Sequence, residues 1–442
     1  MKILLITNAP FLSAGNQSLR RTVQGLKELG VDIEIWMLER EVSKDISNRY
    51  KVKAFQSLVF KLLRRFVKAA VRCFRKVLKV TNRRKKSSMA FPPVTVELPL
   101  VNDKNCIEWV LHLPIVILNS LKLTIYSFIN WKTLRSFDAV WGYERMGVIP
   151  ALLLSRIFKK PLITSFQGVV LYDYLRRYGK CGTLLRIPLD FFSAKVRADL
   201  VVITDDGTRG LEVFEKLGHK RENILFVPNG ICKKELEAIL KTTNQDWENL
   251  NLREKDELVF VIAKRLIEAA RIERAIFVAM ELRKRGLDDF KLFVIGDGEE
   301  RTKLQTFVDI NGLQNNVIFL GALPYEATLK YIASCDMLWS FHDFSNLTNS
   351  VQDALALGRY VLTLDDGSLE GFLRLSPDID QNKILRVRLE NFLEDAVEKI
   401  VQWRQEYRTQ SKHSQSIPEE IWTWEKRIQT IYGRLKRTVN RR

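Results

Sequence analysis

Residues 339–367 read WSFHDFSNLTNSVQDALALGRYVLTLDDG, and the reading of this stretch decides the fold. Residues 337–341 are apolar and aromatic over a strand's length, and residues 345–350 are polar. Residues 351–357 carry apolar side chains at helical spacing and stop at Gly358, and residues 360–364 return as β-branched and apolar chain. Strand, loop, helix and strand in that order predict a βαβ unit and a parallel sheet. A helix that opens behind such a loop presents unbonded backbone N–H groups and the positive end of its dipole. The stretch is therefore a candidate anion site.

The same alternation extends to both sides. Strands are expected at 1–7 and 31–38, joined by a loop over 8–17 that contains Gly15 and a helix over 18–29 closed by Gly30. Gly15 serves a phosphate contact or simply a tight turn; a lone glycine in a first βα loop fits either. Further strands are expected at 138–143, 161–166, 199–204 and 223–228, with a helix over 149–157. Strand ends are where open parallel sheets bind ligands, which draws attention to Glu144 and to Gln167-Gly168. Glu144 contacts an acceptor or plays a structural part. Asp205, Asp206 and Thr208 suit the cap of a following helix. Residues 233–252, rich in charge and Asn, read as a connection. A second series then runs through 257–262, 291–295, 300–308, 316–320 and 325–334 into the opening stretch, with Gly296-Asp297-Gly298 as a turn after the strand at 291–295.

Composition narrows the class. A chain of 442 residues with 46% apolar side chains supports two or three packed domains and excludes a disordered chain. The opening MKILLITNAP has only a strand-length apolar run, so it reads as a first strand rather than a signal peptide. Five cysteines without a CxxC pair point to reduced thiols in a cytosol, and four scattered histidines lack metal-ligand spacing. A formal charge of +19 calls for an anionic partner.

Residues 49–86 contain no acid, and Lys61, Arg64, Arg65, Lys68, Arg72, Arg75, Lys76, Lys79 and Arg83 gather on a helix into a stripe roughly 120° wide. Apolar side chains from Phe55 to Leu78 fill much of the remaining circumference. That pattern suits a helix lying in an anionic membrane interface, and equally a helix packed on its domain with a solvated basic edge. Nucleic acid fits less well, because no aromatic platform accompanies the charges. Residues 109–131 are apolar but broken by His112, Pro114, Asn119, Ser120 and Lys122, which predicts an amphipathic helix over the sheet rather than a membrane span.

Several motifs fall in a familiar order. They are Asn229-Gly230-Ile231, Arg265 within KRLIEAARIERAI (264–276), Gly296-Asp297-Gly298, NVIFL (316–320), Asp353-Ala354-Leu355-Ala356-Leu357-Gly358, and IWTWEKRIQTIYGRL (421–435). Together they resemble the retaining glycosyltransferases of the GT-B fold, family-4 type, or group 1 glycosyltransferases. The resemblance implies an α/β protein of two Rossmann-like domains facing an interdomain cleft, with a C-terminal helix crossing back to the first. The implied boundaries are an acceptor-side domain over 1–231 with a basic insertion at 49–90, a connection over 232–252, a nucleotide-sugar domain over 253–415, and a crossing helix and basic tail over 416–442.

The implied chemistry is retaining transfer from a UDP- or GDP-sugar to a membrane-associated lipid or glycan, without a metal cofactor, by a cytoplasmic protein held peripherally on the cytoplasmic membrane. In this resemblance Arg265 meets the diphosphate, and Ala270 stands where the family has a lysine, leaving Lys264 and Arg271 as the nearest cations. Restoring a lysine at 270 is expected to raise turnover if neither of those cations compensates. Gly296 and Gly298 form the family's glycine turn, and the backbone at Val317 faces the base. Asn346, Leu347, Thr348 and Asn349 lead into the phosphate-facing helix. Asp353 takes the place of the glutamate held on the ribose, Ser345 stands eight positions upstream where the family has its other glutamate, and Gln167 replaces a histidine at the pocket floor. Gly15 faces the cleft. The alternatives are a catalytically silent relative that binds sugar nucleotide or a partner subunit, and a hydrolase or epimerase on the same fold.

Overall fold

The computed structural model describes residues 1–7, 17–38, 51–55, 121, 123, 125–126, 129–246, 257–343, 345–407 and 416–441. The described parts of 1–227 and 425–441 make one unit, and those of 228–424 a second.

The first unit is built on seven strands, β1 (Lys2–Thr7), β2 (Asp32–Leu38), β3 (Val52–Phe55), β4 (Ala139–Tyr143), β5 (Leu162–Phe166), β6 (Leu200–Thr204) and β7 (Ile224–Val227), in the order β3-β2-β1-β4-β5-β6-β7. Every pairing is parallel. Such a sheet is covered on both faces, so its strands are near-continuous apolar runs rather than alternating ones. Ile3, Leu4, Leu5 and Ile6 accordingly have no exposed surface.

The second unit carries β8 (Leu258–Ala263), β9 (Phe290–Ile295), β10 (Val317–Gly321), β11 (Met337–Ser340), β12 (Tyr360–Leu364) and β13 (Ile384–Val387), ordered β10-β9-β8-β11-β12-β13 and again all parallel. Its core includes Phe260, Leu292, Trp339 and Phe392, with Phe260 stacked on Trp339 at 4.7 Å between centroids. Strand order reverses between β1 and β4 in the first sheet and between β8 and β11 in the second. At each reversal the flanking connections leave in opposite directions and open a crevice beyond the strand ends.

The terminal helix Trp424–Asn440 enters the first unit at Glu425. Ile428 packs against Gly25 so closely that a Cβ there would lie 2.2 Å from its Cδ1. Arg427, only 1% exposed, donates from Nη1 to the Val227 carbonyl at 2.6 Å. A crossing C-terminal helix is therefore part of the fold.

Four local expectations are corrected. The helix expected from residue 149 begins at Glu144 directly after β4, with Glu144 itself at φ +59°. Asp206 does not cap a helix but closes its own turn, its Oδ1 accepting from Thr208 N and Oγ1 at 3.1 and 2.6 Å; the helix starts at Gly210. The expected connection over 233–252 holds the helix Lys233–Asp246. Residues 52–55 form the edge strand β3, so Phe55 does not belong to a helix, and Lys51 and Lys53 pair with Asp32 and Glu34 of β2 at 2.6 and 2.7 Å. The expected basic stripe, Lys61 to Arg83, lies outside the described residues. Residues 121, 123, 125 and 126 are helical, followed by the helix Trp131–Arg135. Among the described residues no helix is long and apolar enough to cross a membrane.

Candidate active site

The reversal between β8 and β11 brings two sequence-distant segments together. Lys264 follows β8, and its Nζ donates to Ser340 Oγ at the end of β11 at 3.0 Å. Ser340 Oγ donates in turn to Asn346 Oδ1 at 3.1 Å. The buried Asn346 amide also accepts from His342 N at 2.9 Å and donates to His342 O at 2.8 Å and Asp366 Oδ2 at 2.7 Å. Asn346 is thus fully used in folding its own loop. The helix Asn349–Ala356 begins beside it, because Ser350 Oγ donates to the Ala263 carbonyl at 3.0 Å. Thr348 caps this helix by accepting from Val351 N at 3.3 Å.

The electrostatics of this edge favour an anion. Burial holds Lys264 down to about 7, opposed by Asp366, which favours its charged form. His342 is pushed down to about 3 by burial and by the cations Lys264, Arg274, Arg265 and Arg271, so it is a neutral imidazole at physiological pH.

The segment after Lys264 departs from a regular helix. Glu268–Ala270 is one 3₁₀ turn, Arg271 is left-handed at φ +52°, and the helix proper is Ile272–Lys284. Arg265 is exposed. Ala270 is 2% exposed among Leu266, Ile272 and Ala275, so a lysine there would have to bury its stem in the core. The expected gain in turnover from Ala270→Lys does not fit this packing. Arg271 is committed elsewhere: its Nε donates to Asp343 Oδ2 at 2.7 Å and its Nη1 to Glu273 Oε1 at 3.1 Å.

Other expected residues fall around this edge with distinct surroundings. Gly296, at φ +141°, lies where a Cβ would meet the Lys264 carbonyl at 1.9 Å, and a Cβ on Gly298 would meet the Leu266 carbonyl at 2.2 Å. Both glycines are needed for the turn to lie against the chain that carries Lys264. Val317 and Leu347 are buried apolar residues, 3% and 2% exposed. Ser345 is half-buried on the loop. Asn349 Oδ1 accepts from Asn229 Nδ2 at 3.0 Å. Asp353 is 2% exposed and accepts from the Tyr325 hydroxyl at 3.0 Å, a partner the sequence did not indicate. Gly15 lies outside the described residues.

In the first unit Gln167 is held at three points. Its Nε2 donates to the Tyr143 hydroxyl at 2.7 Å, its Oε1 accepts from Thr204 Oγ1 at 3.2 Å, and its backbone N donates to Glu144 Oε1 at 2.8 Å. Arg427 Nη2 donates to the same Thr204 Oγ1 at 3.0 Å, so the terminal helix reaches Gln167 through one hydroxyl. Burial pushes Glu144 up to about 7 and Asp206 up to about 6. Gly168, at φ +152°, admits the Asp206 carboxylate, which a Cβ would meet at 2.3 Å. Sequence reasoning missed Ser340, Asp343 and Arg427; a polar residue at the end of an apolar strand was the available signal for Ser340. Among the described residues no group of three or more His, Cys, Asp or Glu could hold a metal ion.

Residues 243–374, which contain this whole second-unit edge, match the family described as glycosyl transferases group 1. The second unit carries a group 1 glycosyl transferase domain. Over 229 residues, 50% of the chain, the sequence is 27% identical to an uncharacterized glycosyltransferase of Methanocaldococcus jannaschii, and the match spans about half (53%) of that relative. The fold is similar to that of Anabaena HepE, solved with UDP and glucose, with a TM-score of 0.61, 13% identity, and 99% of each chain covered. It is also similar to that of sucrose-phosphate synthase from Thermosynechococcus elongatus, with a TM-score of 0.65, 13% identity, and 99% and 98% covered. With its two parallel α/β sheets and returning C-terminal helix, this group 1 domain is part of a GT-B fold.

Proposed function

We propose that the chain is a retaining glycosyltransferase that moves a sugar from a UDP- or GDP-sugar to a membrane-associated lipid or glycan. The observation that carries the donor half is the juxtaposition of Lys264, Arg265 and the start of the helix Asn349–Ala356 at the strand-order reversal of the second sheet. Fixed positive groups at that edge stabilise the charge that grows on a departing diphosphate, without reorganising when the bond breaks. HepE, solved with UDP and glucose, supports a sugar-nucleotide donor on this fold. Asp353 faces the ribose, and Ser345 with Thr348 and Asn349 supplies hydrogen bonds to the sugar. Donor binding by these groups needs no metal cofactor.

The formal charge of +19 and the acid-free run over 49–86 support a peripheral position on an anionic cytoplasmic membrane, where a lipid-borne acceptor is presented. Transfer from labelled UDP- and GDP-sugars to membrane extracts tests the reading. The unmodified chain should label the extract from one class of donor, and Arg265→Ala should slow it by roughly a hundredfold, the usual scale for one preorganised charge contact. No labelling from any donor, or an Arg265→Ala variant as fast as its parent, contradicts it.

A further inference from the structure

The group 1 resemblance leaves a gap at position 270, where a buried alanine stands in place of a cation. We infer that Lys264 fills this gap: its ammonium, not the Arg271 guanidinium, grips the donor's diphosphate. The inference rests on the donor reading above and names the residue that makes the contact.

Three observations separate the two cations. Arg271 is a structural ion, pinned at 2.7 Å by Asp343, whose side chain has no exposed surface, and at 3.1 Å by Glu273. Freeing it would leave that buried carboxylate with Arg274 alone. Lys264 instead has one neutral partner, Ser340 Oγ at 3.0 Å, and an ammonium carries three donors, so two N–H groups are left over. Its position is the third observation. It follows the central strand at the reversal point, pressed there by the glycine turn at 296–298 and beside the first turn of the helix Asn349–Ala356.

The charged and titratable groups that Lys264 meets are Asp366, which favours its ammonium, and His342, on which Lys264, Arg274, Arg265 and Arg271 all act. Asp366 is already engaged, accepting from Asn346 Nδ2 at 2.7 Å and from Ser368 N at 2.9 Å. Burial disfavours the Lys264 ammonium and Asp366 offsets this only in part, so the group loses its proton readily, and a diphosphate arriving beside it restores the charged form. Donor binding should therefore draw one proton from solvent at alkaline pH, a signature that a purely structural lysine would not give.

The test is calorimetric titration of the full chain with UDP-glucose and with GDP-mannose, whose diphosphates do not titrate near neutrality, at pH 6.5 and 8.5 in two buffers of different ionisation heat. With Lys264 at about 7, only about 3% is protonated at pH 8.5, so the bound donor should be weaker there by about twentyfold, with close to one proton taken up. Lys264→Met should weaken binding at pH 6.5 by roughly ten- to a hundredfold and abolish the uptake. Lys264→Arg, which stays charged, should bind with no proton uptake and so reports independently if the methionine variant folds poorly. Binding by Lys264→Met within twofold of the unmodified chain overturns the inference while leaving the donor reading intact. So does loss of binding in Arg271→Ala with Lys264→Met unaffected. Failure of the unmodified chain to bind either sugar nucleotide removes both.

Discussion

Replacing Asp343 by alanine deletes the anion that ties the loop after β11 to the segment after β8. Its carboxylate has no exposed surface and sits 2.7 Å from Arg271 Nε and 2.9 Å from Arg274 Nη2, both on side chains that are themselves largely buried. Removing one partner of such a pair costs about 3–5 kcal/mol, because the remaining charge is left desolvated. Two contacts survive the substitution: Glu273 stays 3.1 Å from Arg271, and Arg274 Nη1 still donates to the Phe341 carbonyl at 2.9 Å. The loss should therefore fall near the lower end, about 3 kcal/mol. The chain has two units, so a single unfolding midpoint is ill-defined, and hydrogen exchange of the β8 and β11 amides under rising urea is the suitable readout. With a urea dependence of about 1–3 kcal/mol per molar, the opening of this region should move down by roughly 1 M or more. A shift below about 0.2 M would mean that the triad is worth no more than a surface pair, and the argument that Arg271 is held in a structural role would fail.

Glu144→Gln tests the buried carboxyl at the end of β4. Its folded pKa is raised from 4.5 to about 7, so its contribution to stability is full below pH 4.5 and is lost as pH rises through about 7. The glutamine variant should lose that slope and be the more stable protein above pH 7, by at most roughly 3 kcal/mol at about 1.4 kcal/mol per pH unit and less after solvent screening. Parallel melting curves from pH 5 to 8 would contradict it. Gly296→Ala places a Cβ 1.9 Å from the Lys264 carbonyl in a backbone at φ +141°, so it should lower the melting temperature by several degrees and weaken donor binding; a variant that melts and binds like its parent refutes the close-approach argument. The acid-free run over 49–86 should carry the chain down with anionic vesicles at low salt and release it at high salt, whereas equal sedimentation with neutral vesicles would exclude an electrostatic anchor.

The strands were legible because a doubly covered parallel sheet writes itself as short apolar runs between polar stops; Tyr360–Leu364 and the helix Tyr325–Ser334 have the bounds their sequences indicate. β3 was hidden because its charges read as part of the basic run, whereas Lys51 and Lys53 are used to neutralise Asp32 and Glu34 of the neighbouring strand. No local pattern announces those partners. The same holds for the site. Glycine spacing pointed to the turn at 296–298, whereas the cap by Thr348, which opens the helix at Asn349 ahead of the apolar spacing at 351–357, was not read from the sequence. The fate of Arg271 depends on Asp343, and the pairing of Lys264 on Ser340, each more than seventy residues away along the chain. Which of the two cations a distant carboxylate claims is thus a tertiary property.

A structure of the chain with its sugar nucleotide bound tests the central claim most directly, namely that the second sheet's reversal edge is the donor site. The account predicts diphosphate oxygens within hydrogen-bond reach of Lys264 Nζ and of the backbone N–H groups opening the helix at Asn349, with Arg271 still on Asp343. A donor bound elsewhere, or a diphosphate at this edge held by Arg271 while Lys264 keeps to Ser340, would contradict it.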